Sequence, residues 1–370
     1  MAGELALATV SDHLYSGALV GYSAAIIMLC GDFAFSKSGR KKEAAERAAA
    51  EKAELAVDNT RQPALVGAAD GSSSLDLPPD YVDELADPTT DVRVPGPASK
   101  DPKPTTGGGD RSARLGARMG QIAIVFTVLA LILQVASTAV RGIAVDRLPW
   151  GNMFEFASVI AIVAVTTYLI TLGRKPRLRF IGLFVLVPVV IILVLAGLKL
   201  YVEAAPVVAA LRSYWLAIHV TAASIATGIF FVSTVASALY LVKDRHERKE
   251  AKAGKRLPSR VAGSLPSSAA LDRLAARTVT FAFPIWTFAI IAGSIWAEAA
   301  WGRYWGWDPK ETWAFISWVA YAGYLHARAT AGWKGRKAAY LNLLAASTMM
   351  FNFIIVNTVV SGLHSYSGLS

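Results

Sequence analysis

Long apolar runs and short polar breaks alternate along the chain. Runs close to the ~20 residues that cross a bilayer fall at 14–35, 116–139, 152–172, 180–198, 214–242, 279–299, 313–328 and 339–360. They predict an all-α polytopic membrane protein with about eight transmembrane helices. The fifth run is long enough to tilt or project, and the seventh is the shortest. The breaks mark helix starts. In "GNMFEF", Asn152 fits an N-cap and Glu155 the third helical position. In "WDPKET", Asp308, Pro309 and Glu311 fit the N-cap, first and third positions of a capping box.

Basic residues orient these helices. With the N-terminus outside, the inner connections (36–118, 173–179, 243–277 and 328–338) carry 13, 4, 10 and 4 Lys and Arg, or 31 of the 37. The outer side keeps Arg141, Arg147, Lys199, Arg212, Arg303 and Lys310. This asymmetry predicts that both termini lie outside the cytoplasm. The first run follows Glu4, Asp12 and His13 without a basic stretch, so no cleavable signal peptide is expected. Three regions result: a first transmembrane helix (1–35), a cytoplasmic charged helix and linker (36–115), and a seven-helix membrane domain (116–370). Within the second, "GRKKEAAERAAAEKAELA" predicts a solvated helix, whereas the Asp, Pro, Gly and Ser-rich remainder cannot bury a core.

Composition agrees with a membrane protein: 54% of residues are hydrophobic and 17% charged, against about 25% charged in soluble domains. The net charge of +10 is accounted for by the inner loops and calls for no nucleic acid. The single cysteine, Cys30, lies in an apolar run and reads as buried. There is therefore no disulfide framework, CxxC pair or thiolate metal cluster.

The chemistry concentrates in "WGRYWGWDPKETW", residues 301–313. So much flat aromatic surface suits an interface belt, a packed helix junction or a face for a planar ligand. Trp301 and Trp305 would share a face if the segment were helical, and Gly302 and Gly306 would admit a ligand or backbone. His219 in "LRSYWLAIHV" and His364 in "GLHSYS" are expected at the same outer end. Interface amphipathicity and a shared site both account for this co-location. His326 in "YLHAR" lies deeper, where an ionisable group is either functional or snorkelling to the inner surface. His246 sits in a solvated basic loop, and His13 has no companion motif.

"WGRYWGWDPKETWAFISW" resembles the tryptophan-rich WWD signature of haem-handling proteins in cytochrome c maturation, and its "WDPKETWA" ending resembles the CcsA/ResC type of system II. "LRSYWLAIHV", "GLHSYS", "YLHAR" and, more loosely, "LPWGNMFEF" match further family segments, so the resemblance covers about residues 148 to 366. It implies that His219 and His364 are axial ligands of haem b (iron protoporphyrin IX) at an outer site, with Trp301, Trp305 and Trp307 around it. Asp308 belongs to the same signature, and Arg303 and Lys310 are available for the haem propionates. His326 would belong to a second haem site within the bilayer, completed by a histidine of a ResB/Ccs-type partner. The chain would convey haem and present it for thioether attachment to apocytochrome c CxxCH cysteines, as a component of a cytochrome c synthase (haem lyase) complex. The long inner loop departs from the family pattern and gives no plastid signal, so a bacterial plasma membrane is expected over a thylakoid. A haem exporter without synthase role, a quinone-interacting respiratory subunit and a purely structural membrane scaffold remain alternatives on the residues alone.

Overall fold

A computed structural model describes residues 2–60, 108–205, 211–259 and 261–364. Met1–Lys37 with Leu115–Ser370 form one compact unit and Ser38–Arg114 another; the bundle belongs to the first. Its α-helices are α1 (Ala2–Thr60), α2 (Gly108–Ala144), α3 (Met153–Arg174), α4 (Ile181–Lys199), α5 (Tyr214–Ala253), α6 (Ser268–Trp301), α7 (Pro309–Ala329) and α8 (Arg336–Thr358). No strand occurs among the described residues. Seven of these helices are long and apolar enough to cross a membrane, and α7 is the exception. Its 21 residues reach about 31 Å at 1.5 Å per residue, but Lys310, Glu311, His326 and Arg328 make it more polar than its neighbours.

Helices outrun the apolar segments that announced them. The "GRKKEAAERAAAEKAELA" stretch is helical, within the range of α1; the linker expected after it lies, at 61–107, outside the described residues. At the start of α6, Leu271, Leu274 and Ala275 are buried, which extends that helix ahead of its apolar run.

Helix α5 is central, packing against α3, α4, α6 and α8, while α7 packs on α6 and α8. Small residues and paired polar groups hold the bundle together, as suits a setting where lipid offers helices no hydrophobic driving force. A Cβ on Gly228 would come within 2.9 Å of the Ile160 carbonyl, so this glycine lets α5 approach the α3 backbone. Buried Gln134 accepts from the Tyr22 hydroxyl at 2.7 Å and donates to the Ser158 carbonyl at 3.0 Å, joining α1, α2 and α3. Asn342 of α8 donates to the Ser233 and Ser237 hydroxyls of α5, each at 2.7 Å.

The two ends of the bundle differ. At one, Arg328 forms a two-pronged pair with Asp272 at 2.8 and 3.0 Å, and Arg179 pairs with Asp32 at 2.8 Å. At the other, Arg141 and Arg147 converge on Glu155 at 3.0 and 2.8 Å. Glu155 also accepts from Gly151 N–H at 2.8 Å, while Asn152 caps α3 through Glu155 N–H at 2.9 Å. The segment from Arg147 to Asn152 is thereby pinned beside the N-terminus of α3. Cys30 is exposed on the flank of α1, contrary to the buried position expected from its apolar neighbours: an exposed face of a membrane helix is as apolar as a core.

Candidate functional site: an aromatic cavity between two histidines

At the Glu155 end, a cavity opens among α3, α5, α6, α7 and α8. The space between its walls, open mouth included, is about 1280 Å³. Trp150, Trp286, Trp296, Trp301, Trp305 and Tyr304 contribute to its walls, as do Phe156 and Met349. His219 and His364 both line it.

Local structure explains how each histidine arrives there. Ser213 caps α5 by accepting from Trp215 N–H at 3.3 Å, and His219 follows near the start of that helix. Its Nδ1–H donates to the Ala289 carbonyl of α6 at 2.7 Å. Gly293, one turn further along α6, makes room: a Cβ there would stand 2.6 Å from the His219 ring. His364 lies beyond α8, on a segment held by Asp308. The Asp308 carboxylate accepts from Leu363 N–H at 2.7 Å and from His364 Nδ1–H at 2.8 Å. Gly362 permits this approach, because a Cβ there would come within 2.7 Å of Asp308 Oδ1.

Trp296 contacts both imidazoles. Its ring stacks with His219 at 6.2 Å and 11° and meets His364 edge-on at 5.8 Å and 66°. Trp301 packs edge-on against Trp296 at 4.8 Å and against His364 at 5.1 Å. Nothing in the sequence distinguished Trp296 from the other tryptophans of its long apolar helix; only the bundle shows which ones meet.

The 301–313 segment is not one helix. Gly302, at φ +72°, ends α6 with its N–H on the Glu298 carbonyl at 2.8 Å, so the condition for Trp301 and Trp305 to share a helical face is not met. Both nonetheless line the cavity, one from the helix end and one from the loop. Trp307 faces outward, 65% exposed and edge-on to Trp305 at 5.7 Å, with a left-handed φ of 57° that an aromatic residue seldom adopts. Arg303 is also exposed and folds back toward the Gly306 carbonyl at 3.5 Å. The capping box is present as the sequence predicts: Glu311 accepts from Asp308 N–H at 3.1 Å, and Asp308 from Lys310 N–H at 3.2 Å. Burial raises the pKa of Asp308, yet the His364 hydrogen bond, the Leu363 and Lys310 N–H groups and the His364 charge outweigh it. The carboxyl is held below its ordinary range.

Three histidines stand apart. His326 is exposed on the flank of α7, far from the cavity. His13 bonds the Thr9 carbonyl at 2.8 Å, and His246 contacts Glu250 at 3.3 Å. Among the described residues, no group of three or more His, Cys, Asp or Glu could hold a metal ion.

Residues 150–364 match the family described as cytochrome C assembly protein. The cytochrome c biogenesis protein CcsA of Guillardia theta is 34% identical over 256 residues, which cover 66% of this chain and 85% of the relative. That of Trieres chinensis is 32% identical over 279 residues, covering 68% and 88%. A Synechococcus relative of the same name is 39% identical over 179 residues, covering 44% and 59%. The matched region begins at Trp150 and ends at His364, both of which line the cavity.

Proposed function

The chain belongs to the cytochrome c assembly protein family and has a role in cytochrome c biogenesis; on that premise we propose that the cavity holds haem b between His219 and His364. It would do so at the extracytoplasmic face and present the haem to apocytochrome c. The observation that carries this reading is the pairing of two imidazoles, distant in sequence, across one aromatic cavity, each with Nδ1 already engaged. Metal-binding histidines characteristically donate the other ring N–H to a carbonyl or carboxylate, which fixes tautomer and orientation. Here Ala289 and Asp308 would serve that purpose, and Nε2 would be the coordinating nitrogen. The haem supplies the vinyl groups to which the CxxCH cysteines add. Trp296, Trp301 and Trp305 offer apolar faces that exclude water, and the protein's contribution is chiefly orientation.

Delivery of haem from the cytoplasmic side would use His326 together with a ResB/Ccs-type partner. The exposed position of His326 on α7 supports this, since it leaves the ring accessible to a ligand from another chain. The segments 1–35, 36–115 and 116–370 then act as first span, cytoplasmic tether and haem-handling domain.

Replacing His219 or His364 by glycine is expected to abolish cytochrome c assembly, with exogenous imidazole partly restoring it by supplying the missing nitrogen ligand. Trp301→Ala and Trp305→Ala should lower assembly without such rescue, because a lost aromatic face is not a lost ligand. Full assembly in both histidine variants without imidazole contradicts the reading.

A further inference from the structure

Among the described residues that line the cavity, Lys310 is the only Lys or Arg. Its ammonium donates to the Asn352 carbonyl at 3.0 Å and to Asn357 Oδ1 at 2.7 Å, both on α8 and both uncharged. Two carboxylates lie near: Asp308, whose charge acts on Lys310 from beyond ion-pair distance, and Glu311, whose Oε1 has no hydrogen-bond partner among the described residues. Asp308 is taken by His364 and by the N–H groups of Leu363 and Lys310, and Glu311 Oε2 accepts from Gly306 and Asp308 N–H. Among the described residues, no carboxylate forms an ion pair with Lys310. An ammonium has three donors, and here two are spent on neutral oxygens against apolar walls. Such a cation is costly without a counter-charge.

We infer that the counter-charge comes from the ligand, and that Lys310 is the anchor for a carboxylate at the edge of the bound macrocycle. This rests on the haem reading above and deepens it: iron protoporphyrin IX carries two propionates on one edge. It also separates two cations that the sequence offered on equal terms. Arg303 is exposed, directed toward the Gly306 carbonyl, and does not line the cavity. The two asparagines of α8 hold the Lys310 ammonium in place, so recognition costs little reorganisation when the ligand enters.

The test is a titration of the purified full chain in detergent with iron protoporphyrin IX and with its dimethyl ester, followed by absorption. Wild type should bind the free diacid at least tenfold more tightly than the ester. In Lys310→Met that preference should fall to near unity while both porphyrins still give a six-coordinate spectrum, and Lys310→Arg should keep most of it. Equal binding of diacid and ester by wild type, or an undiminished preference in Lys310→Met, overturns the inference but leaves the axial ligands standing. If neither porphyrin gives a six-coordinate spectrum with wild type, the haem reading itself fails and the anchor with it. Should Lys310→Met not fold, the wild-type comparison and Lys310→Arg still decide.

Discussion

The Asp308 carboxylate caps α7 through Lys310 N–H at 3.2 Å and, with the same oxygen, receives the Nδ1–H of His364 at 2.8 Å. Asparagine caps helices about as well as aspartate, so Asp308→Asn should leave α7 intact. It would weaken the hydrogen bond to His364, because a charged acceptor contributes about 1.5–3 kcal/mol against about 1 for a neutral one. The expected outcome is normal insertion and helix content with several-fold lower haem retention, read by absorption per protein. Since the Asp308 pKa is depressed, its stabilisation of the 362–364 segment is complete above the ordinary carboxylate value near pH 4 and is lost only as pH falls through the lower folded value. Protonation of Asp308 should therefore expose the C-terminal segment to proteolysis only as the pH falls below about 4. Gly293→Ala offers a complementary case. Alanine favours a helix over glycine by about 1 kcal/mol, but its methyl would stand 2.6 Å from the His219 ring. Haem affinity should drop while thermal stability holds. Rare residue types mark His219, His364, Trp301 and Trp305 in the sequence, and these four line the cavity. Trp296 carried no such mark, and the outward-facing positions of Trp307 and Arg303 could not be read, because spacing in a loop does not tell which way a side chain faces.

At the scale of elements, the polar cluster at the start of α3 determines whether the cavity keeps its wall. Glu155 balances Arg141, 2% exposed, and Arg147, 12% exposed. Arg147 also donates to the Ala205 carbonyl at 3.0 Å. Removing one partner of a buried pair costs about 3–5 kcal/mol, so Glu155→Ala should lower thermal stability far more than Asn152→Ala, which costs about 1 kcal/mol as a lost cap. Unfolding in detergent followed by circular dichroism checks the order, and equal losses would show that Glu155 acts only as a capping residue. Capping chemistry was readable from sequence at both Asn152 and Asp308, because it is local. The arginines that gather on Glu155 were not, since Arg141 and Arg147 belong to α2 and the connection after it. Apolar runs likewise mark the bilayer-length part of a helix but not its ends, which is why α1 and α6 extend beyond their runs.

At the scale of the molecule, the lopsided distribution of basic residues predicts that the cavity end faces outward. Reporter fusions near Ala204 and at the C-terminus should report outside, and fusions within 245–270 inside; an inside location for the cavity end would separate the site from an extracytoplasmic substrate. His326 lies about 26 Å along α7 from Pro309 at 1.5 Å per residue. His326→Ala should reduce haem reaching the cavity when the partner is co-expressed, with the amount of inserted protein unchanged. The account stands or falls, however, on whether His219 and His364 ligate one iron. The most direct measurement is the reduced absorption spectrum of the purified chain and its His219→Gly and His364→Gly variants, with and without imidazole. A six-coordinate b-type spectrum is expected for the wild type, lost in either variant and regained with imidazole. A wild-type spectrum that survives both substitutions would contradict the shared-iron site.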